Sequence, residues 1–366
     1  MFNMTMLTMI MMSMFSIQGA SATGANGTNY TVGALFIFGD STVDCGNNNY
    51  LLTIARANFP PFGMDFDTHL PTGRFCNGRL TEDFICEKLG LPLIPAYLSP
   101  ESANYLTGAN FASAGAGVLN DTGNDLGEHI ALQQQIQMFM ERRAVLEQMM
   151  GVEAAHDLIA NSVMYISIGG NEYIHNYITN GSESSLTPEA FTDLVLASLS
   201  DRIMELYNGG ARKMTIASLG PMGCAPFALH RYNSTDSQCI EFLNDLVKDF
   251  NTALHISIVR LNEILPDATI LYMNIYDIVY NLTQNPQAYG FQVADTACCG
   301  VGTYRGAFPC MNTTMMCDTP ETHVWWDLYH PSHLANRVIA DTIYKKLTSW
   351  SAPSTLFSSV QTDCKL

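Results

Sequence analysis

Five short candidate strands, the first an apolar run, alternate with longer segments of helical periodicity, and this alternation constrains the fold more than any other feature of the sequence. These five runs occupy residues 34–37, 107–112, 163–168, 213–219 and 269–273. Strands that alternate with helices pair in parallel and are buried on both faces. Because no repeat or linker interrupts the pattern, we expect one α/β domain over residues 23–366. Its architecture should be a three-layer αβα sandwich around a parallel sheet of roughly five strands.

The segments between the runs have the start and stop residues of helices. Helices are predicted over residues 79–89, 128–150, 187–208 and 238–265, and a last one after Pro331. Thr187 and Pro188 are typical of a helix N-terminus, as N-cap and first residue. In this helix Phe191, Leu194 and the apolar residues that follow are expected to face the core.

The charge balance narrows the classes of partner. Of the 366 residues 47% are apolar and 14% are charged, and 17 Lys and Arg stand against 34 Asp and Glu, for a formal net charge of -17. A chain this negative is repelled by phosphate backbones and by anionic lipid surfaces. We therefore expect no nucleic-acid partner, whereas the oligomeric state stays open.

The N-terminus resembles a secretory signal peptide. An apolar block from Met4 to Ile17 leads to Ala20-Ser21-Ala22, which fits the small-residue pattern of a signal-peptidase site. The block is short for a transmembrane helix, and no Lys or Arg precedes it. A buried N-terminal helix is the alternative, but the polar, Gly-rich sequence that follows favours cleavage after Ala22. We predict a signal peptide over residues 1–22, secretion, and no transmembrane anchor.

Ten cysteines and several glycosylation sequons agree with an oxidising compartment. The cysteines form no Cys-x-x-Cys motif, and Cys298, Cys299, Cys310 and Cys317 lie in one Gly-rich loop. Disulfides order such loops in secreted proteins, although the sequence leaves the pairing open. Asn-x-Ser/Thr sequons, which suit a glycosylated surface, occur at Asn26, Asn29, Asn120, Asn180, Asn233, Asn281 and Asn312.

Three of the strand ends have turns of unusual composition. Ser41 follows the first run, a glycine-rich corner around Gly115 follows the second, and Gly169-Gly170-Asn171 follows the third. Ligands of open α/β sheets bind outside the carboxyl ends of the strands, so Ser41 is placed as a nucleophile would be. On these residues alone, it stays equally open that Asp40 and Ser41 only cap a helix. The corner lacks the third glycine of a dinucleotide motif, because Asn120 stands there.

Asp327 and His330 immediately precede the last helix. Pro331 disfavours helical geometry at His330, so this histidine should lie at the mouth of the helix. Asp327, three residues earlier, can turn back and accept a hydrogen bond from the imidazole. Such a carboxylate fixes the tautomer and stabilises the charged ring, as in a serine triad. His323 and His333 are the nearest rivals, and for both we expect an ordinary surface or core role.

These blocks together resemble the plant-type GDSL esterase/lipase family of the SGNH hydrolase superfamily. The resemblance rests on Phe38-Gly39-Asp40-Ser41, on residues 110–115, on Gly169-Gly170-Asn171 and on residues 326–331, in this order along essentially the whole mature chain. The family implies a flavodoxin-like fold, with Ser41 as nucleophile, His330 as base and Asp327 as its partner. It also implies oxyanion-hole donors from the Ser41 and Gly115 backbone N–H groups and from the Asn171 amide.

Two positions depart from the family pattern. Glu172 stands where Asp is usual, and Ser332-His333 follows Pro331 where Thr-Glu is common. We expect the first to shift the Asn171 loop slightly, and neither to touch a residue with a chemical role. A Gly-x-Ser-x-Gly motif is absent, which argues against the α/β-hydrolase alternative.

The resemblance implies a secreted serine esterase or lipase that acts on carboxylic esters, acyl lipids among them. A Ser-His-Asp triad and an acyl-enzyme suffice for that reaction, without metal or cofactor. An acyltransferase of the cuticle polyester type would use the same triad with a hydroxyl acceptor other than water, and this alternative stays open. A secreted binding protein without catalysis is disfavoured by the intact Ser41, Asp327 and His330. The acyl chain and the alcohol of the substrate cannot be read from the sequence.

Overall fold

Five parallel strands form the central sheet. A computed structural model of the chain describes residues 20–23, 29–104, 106–179 and 186–347. The strands are β1 (Ala20–Thr23), β2 (Asn29–Val32), β3 (Leu35–Gly39), β4 (Gly108–Asn110), β5 (Val163–Ser167), β6 (Lys213–Ala217) and β7 (Thr269–Met273). The sheet has the order β4-β3-β5-β6-β7, and each neighbouring pair in it is parallel. β1 and β2 form a separate antiparallel pair.

Helices connect the strands and cover the sheet. In the described ranges the α-helices are α1 (Thr81–Leu89), α2 (Leu132–Met150), α3 (Val152–Ala160), α4 (Pro188–Asn208), α5 (Pro226–Arg231), α6 (Glu241–Ile264), α7 (Ile275–Gln284) and α8 (His333–Leu347). A π-helix, Glu172–Thr179, follows β5.

The sheet buries a different set of helices on each face. Along β3, Phe36 and Phe38 belong to the core cluster that contains the apolar residues of α2, α4 and α6. Leu35 and Ile37 belong to the cluster that contains those of α1, α7 and α8. Alternate residues of a strand point to opposite faces, so both faces of this sheet are apolar and covered. The predicted parallel sheet between two helical layers is confirmed.

All five predicted strands of the sheet are present, and the four helices predicted with bounds are present with ends shifted by a few residues. Thr187 caps α4 as predicted, because its hydroxyl oxygen accepts the Ala190 backbone N–H at 3.3 Å. The core position predicted for Leu194 is wrong, since this side chain is 45% exposed. The buried stripe of α4 passes through Phe191, Val195 and Leu199 at a spacing of four, and Leu194 lies beyond its edge.

α3, α5, α7 and the π-helix were not predicted from the sequence. For α7 a start residue was present in the sequence, because the Asn274 side chain accepts the Asp277 backbone N–H at 3.1 Å as an N-cap. α5 has six residues, which is too short for a periodic apolar pattern to stand out.

Most of the predicted signal peptide, together with Asn26, Asn180 and Cys364, lies outside the described residues. The predicted cleavage point after Ala22 falls inside β1. Among the helices of the described ranges, none has both the length and the apolar character that crossing a membrane would require.

Candidate active site

Ser41 lies in the turn that directly follows β3, at the carboxyl edge of the sheet; we call residues 40–48 the serine turn. At Gly39 a side chain is excluded, because a Cβ there would lie 2.2 Å from the Ser167 carbonyl oxygen. The buried Asp40 carboxylate accepts the backbone N–H and the hydroxyl of Thr42 at 2.9 and 2.8 Å. Burial raises the pKa of Asp40 above its ordinary value. Asp40 therefore caps the turn, and the Ser41 hydroxyl is left for another partner.

A hydrogen-bonded chain joins Ser41, His330 and Asp327. Nε2 of His330 lies 2.7 Å from Oγ of Ser41, although 289 positions separate the two residues in the sequence. Nδ1 of His330 lies 2.8 and 2.9 Å from the two carboxylate oxygens of Asp327. His330 and Asp327 are 7% and 3% exposed. With the Nδ1 proton directed to the carboxylate, Nε2 can accept a proton from the serine hydroxyl.

The segment from Asp327 to His330 folds tightly around the carboxylate. Oδ1 of Asp327 also accepts the backbone N–H groups of Tyr329 and His330, at 2.9 and 2.8 Å. The Trp326 backbone N–H donates to the His330 carbonyl at 2.8 Å, and the Phe75 ring packs on the imidazole with centroids 5.2 Å apart. These contacts hold the carboxylate and the ring in one orientation, as a positioned base requires.

The two rival histidines have structural roles. Nδ1 of His323 lies 3.0 Å from the Thr319 carbonyl oxygen, and Nδ1 of His333 accepts the Arg79 backbone N–H at 2.9 Å. Burial lowers the pKa of both imidazoles. Neither side chain lines the cavity into which Ser41 opens.

Gly115 and Asn171 line the same cavity as Ser41. Gly115 has φ 83°, a left-handed conformation that favours glycine, in what we call the glycine loop, residues 113–119. Asn171 is 8% exposed, and its Nδ2 donates to the Ala116 carbonyl at 2.9 Å. An amide nitrogen has two protons, so this bond leaves one for a ligand. The bond also ties the turn after β5 to the glycine loop.

Glu172, one of the departures from the family pattern, is fully buried against the glycine loop. Its Oε1 accepts the backbone N–H groups of Val118 and Leu119, at 2.5 and 3.1 Å. Its Oε2 is buried and makes no hydrogen bond within the described residues. Burial raises the pKa of Glu172 to about 7. A Cβ at Gly117 would lie 2.2 Å from Oε1, so the close approach of carboxylate and loop requires glycine there.

A buried polar network that sequence reasoning missed links the serine turn to the glycine loop. The Asp44 carboxylate accepts the Ala114 backbone N–H at 3.2 Å, and burial raises its pKa to about 6. Asn48 donates to the Ala114 carbonyl at 2.9 Å and accepts the Ser113 hydroxyl at 2.6 Å. The run of Asp and Asn after Ser41 was the available signal, because such side chains bond nearby backbone groups in turns.

Gln135 was also missed as a residue of the site. Its Nε2 donates to the Gly39 carbonyl and its Oε1 accepts the Gly39 backbone N–H, both at 2.8 Å. β4 pairs with β3 only as far as Ile37, and beyond it the Ser113 backbone N–H still donates to the Gly39 carbonyl at 3.1 Å. Gln135 supplies the acceptor for the Gly39 N–H. A polar residue next to the buried Ile136 on the inward face of α2 was the signal that could have revealed it.

A cavity of about 780 Å³ opens at the serine turn. Its walls are mostly apolar and include Ile54, Phe62, Met222, Phe227, Val279, Phe308 and Ile339. His175 lines it as well, and its Nδ1 lies 3.1 Å from a carboxylate oxygen of Asp125. Apolar walls with a few convergent polar groups are typical of a site for a small ligand or an acyl group.

Disulfides order the loop that precedes Asp327, as predicted. They join Cys298 to Cys317 and Cys299 to Cys310, and the backbone N–H groups of Cys298 and Cys299 donate to the carbonyls of Trp325 and Trp326 at 3.0 and 2.7 Å. A third disulfide joins Cys224 and Cys239. The bridged loop is thus bonded to the two residues directly before Asp327. Buried free thiols are found at Cys45, Cys76 and Cys86.

Comparison with known proteins gives strong matches over most of the chain. Residues 35–343 match the family described as GDSL-like Lipase/Acylhydrolase. GDSL esterase/lipase 7 of Arabidopsis thaliana is 40% identical over 333 residues, which cover 88% of this chain and 91% of that protein. A second Arabidopsis thaliana GDSL esterase/lipase is 39% identical over 315 residues, which cover 84% of this chain and 82% of its own length. Among solved structures, an acetyl xylan esterase aligns with 86% of this chain and 99% of its own at 11% identity and a TM-score of 0.35, too remote to bear on the site.

Proposed function

The chain belongs to the GDSL-like lipase/acylhydrolase family and is a carboxylic ester hydrolase, and from this premise we propose that it cleaves acyl esters through a covalent acyl-enzyme on Ser41. One observation above all supports the proposal: Oγ of Ser41 and Nε2 of His330 lie 2.7 Å apart, with Asp327 bonded to the other ring nitrogen. A nucleophile, its base and an orienting carboxylate are the parts that acyl transfer requires.

In the first half of the proposed reaction, Nε2 of His330 takes the hydroxyl proton while Oγ of Ser41 attacks the ester carbonyl carbon. The ring then carries a positive charge beside the Asp327 carboxylate, which lies 2.8 Å from Nδ1. When the tetrahedral intermediate collapses, Nε2 returns the proton to the departing alkoxide and the alcohol leaves. The acyl group stays on Ser41.

The carbonyl oxygen becomes an oxyanion in this step and needs donors that are already in place. We assign that role to the backbone N–H groups of Ser41 and Gly115 and to the Asn171 amide. The positive φ of Gly115 and the bond from Asn171 to Ala116 support the assignment, because both fix these donors before a substrate arrives.

Water completes the cycle when His330 removes one of its protons and the oxygen attacks the acyl carbonyl carbon. As the second tetrahedral intermediate collapses, the bond between that carbon and Oγ of Ser41 breaks, Nε2 returns the proton to Oγ, and the carboxylic acid leaves. A hydroxylated acceptor in place of water would yield transfer of the acyl group instead of hydrolysis. The two outcomes are separated by product analysis with and without an added alcohol. We assign water as the acceptor because the relatives at 39–40% identity are named esterases or lipases.

We further propose that the protein is secreted. Three disulfides within the described residues support this, because such bonds persist in oxidising compartments. Sequencing the N-terminus of protein collected from the medium of expressing cells tests it. Cleavage after Ala22 gives a chain that begins at Thr23, and retention of the protein inside the cells contradicts the proposal.

Replacement of Ser41 by Ala tests the catalytic assignment. The variant is expected to lose hydrolysis of p-nitrophenyl esters and labelling by a fluorophosphonate probe, with an unchanged circular dichroism spectrum. Ser167→Ala is the matched control, because Ser167 lines the same cavity but has a hydroxyl, that of Thr42, as its neighbour at 3.2 Å instead of an imidazole. The control should keep both properties. Labelling of the Ser41→Ala protein at another serine would overturn the assignment.

A further inference from the structure

Four large apolar side chains stand in solvent at the cavity that contains Ser41. Leu52 and Ile54 are each 78% exposed, and Phe308 and Met311 are 51% and 49% exposed. Ile54, Phe308 and Met311 line the cavity, and Leu52 lies two residues before Ile54. We call these four residues the apolar rim.

The backbone that holds the rim is fixed on both of its loops. The Ile54 backbone N–H donates to the Leu126 carbonyl at 2.9 Å, and Leu52 exchanges bonds with Glu128 at 2.7 and 2.9 Å. On the other loop, Phe308 forms a bridge with Val301, and a disulfide joins Cys299 and Cys310, the residue before Met311. The rim is therefore a built part of the surface, because these bonds hold its backbone in place.

Any partner that binds the apolar rim must leave Ser41 accessible to the substrate. Exposed apolar patches on soluble proteins mark interaction sites, because burying such side chains is favourable. A protein seated on the rim, including a second copy of this chain, would block the cavity that three of the rim residues line. A lipid surface would not block it, since that surface supplies the ester. Because the protein has a net charge of -17, anionic lipid surfaces repel it. The preferred lipid surface is therefore one without net charge.

We propose that the apolar rim seats the enzyme on aggregated lipid of zero net charge that contains the ester, so that the acyl chain moves from the aggregate into the cavity. This inference rests on the ester hydrolysis proposed at Ser41 and adds the physical state of the substrate. Dissolved short esters reach Ser41 from water and do not need the rim.

Binding is measured by flotation with phosphatidylcholine vesicles, on a Ser41→Ala background so that no lipid is consumed. Leu52→Ser and Phe308→Ser should each weaken binding about tenfold, the effect of removing one inserted apolar side chain. Ile264→Ser is the matched control, because Ile264 is 62% exposed and lies outside the cavity lining. It should bind like its parent, and phosphatidylglycerol vesicles should bind the parent more weakly. Equal binding by all variants overturns the inference.

Activity separates this inference from the proposed function. With active Ser41, Leu52→Ser should lower hydrolysis of an emulsified triacylglycerol about tenfold at limiting lipid. Hydrolysis of dissolved p-nitrophenyl acetate should stay unchanged, since Leu52 does not line the cavity. If the parent hydrolyses the dissolved ester but Leu52→Ser keeps its rate on the emulsion, the rim inference is wrong. If the parent hydrolyses neither ester, the proposed function is wrong.

Two further arms test other occupants of the rim. Asn312 begins a sequon next to Met311, so the flotation is repeated with Asn312→Gln, which cannot carry a glycan there. Binding that appears only in Asn312→Gln means that a glycan covers the rim and overturns the inference. Light scattering that detects a dimer of the parent, lost in Leu52→Ser and Phe308→Ser, means that a second copy covers the rim and overturns it as well.

Discussion

The parent protein should lose stability as the pH rises, because the buried Glu172 then ionises, and replacement of Glu172 by Gln should abolish this part of the loss. Burial raises the pKa of Glu172 from 4.5 to about 7. A group whose folded-state pKa is raised stabilises the fold fully below its unfolded pKa, and this contribution is lost as the pH rises through the folded value. The window therefore runs from about pH 4.5 to about pH 7. A shift of this size corresponds to roughly 3 kcal/mol in the free energy of unfolding.

The structure explains why desolvation outweighs the hydrogen bonds of Glu172. Two backbone N–H groups favour the carboxylate at Oε1, whereas Oε2 is buried without a partner among the described residues. Gln keeps an acceptor for the two N–H groups and cannot ionise. Its buried amide nitrogen lowers stability by an amount that does not depend on pH. Relative to the parent, the variant should therefore gain up to about 3 kcal/mol as the pH rises through the window from about 4.5 to about 7.

Urea unfolding followed by tryptophan fluorescence at several pH values measures this difference. The parent and Glu172→Gln must be compared at each pH, because the buried Asp44 also makes the free energy of unfolding of the parent fall as the pH rises. Its pKa is raised to about 6. Glu153→Gln, at an exposed carboxylate on α3, reports the effect of removing a surface charge. Parallel stability curves for the parent and Glu172→Gln across the window would refute the burial argument.

Three other changes test the site. Asn171→Ala should lower kcat by about 10²–10³ with little change in KM, because an oxyanion donor acts in the transition state; unchanged turnover in steady-state kinetics would make Asn171 a turn residue only. Asp327→Asn should lower kcat by about 10⁴, since an amide cannot hold the required tautomer of His330; a loss below about tenfold contradicts that role. Reduction of the bridges at Cys298 and Cys299 should lower activity before the far-UV circular dichroism changes, because the bridged loop positions Asp327 while the sheet has its own core. Free thiols at these cysteines in the secreted protein, detected by mass spectrometry, would be the contrary result.

The sheet was predictable because most of its strands are largely apolar runs that end at a turn residue, as β3 and β5 are. The sequence of β4, Gly-Ala-Asn, is the exception. The position of Ser41 at the carboxyl edge of the sheet followed from the same logic, whereas its pairing with His330, which follows no strand of the sheet, was implied only by the family resemblance. Pro331 added the local constraint that keeps His330 outside α8. Apart from that pairing, these inferences depend on neighbours in sequence or on a general rule of sheet topology.

The features that were missed depend on distant partners. Gln135 bonds Gly39 across 96 positions and Asn48 bonds Ala114 across 66, so neither residue differs locally from an ordinary polar residue. Glu172 was expected only to shift a loop slightly, whereas its carboxylate is buried and bonds two backbone N–H groups. Burial of a carboxylate is decided by what packs around it, which a single sequence does not state.

Among the described residues, the reduced thiols of Cys45, Cys76 and Cys86 constrain the order of events when the chain folds. Each is buried close to the serine turn or α1, and burial raises the pKa of Cys76 to about 12. Once enclosed, such thiols scarcely ionise and do not react. In an oxidising medium they must be enclosed before oxidants reach them, while Cys224, Cys239 and the four cysteines of the bridged loop still have to find their partners. Refolding from a fully reduced, unfolded chain should therefore give mispaired disulfides unless an isomerase or a thiol buffer allows exchange.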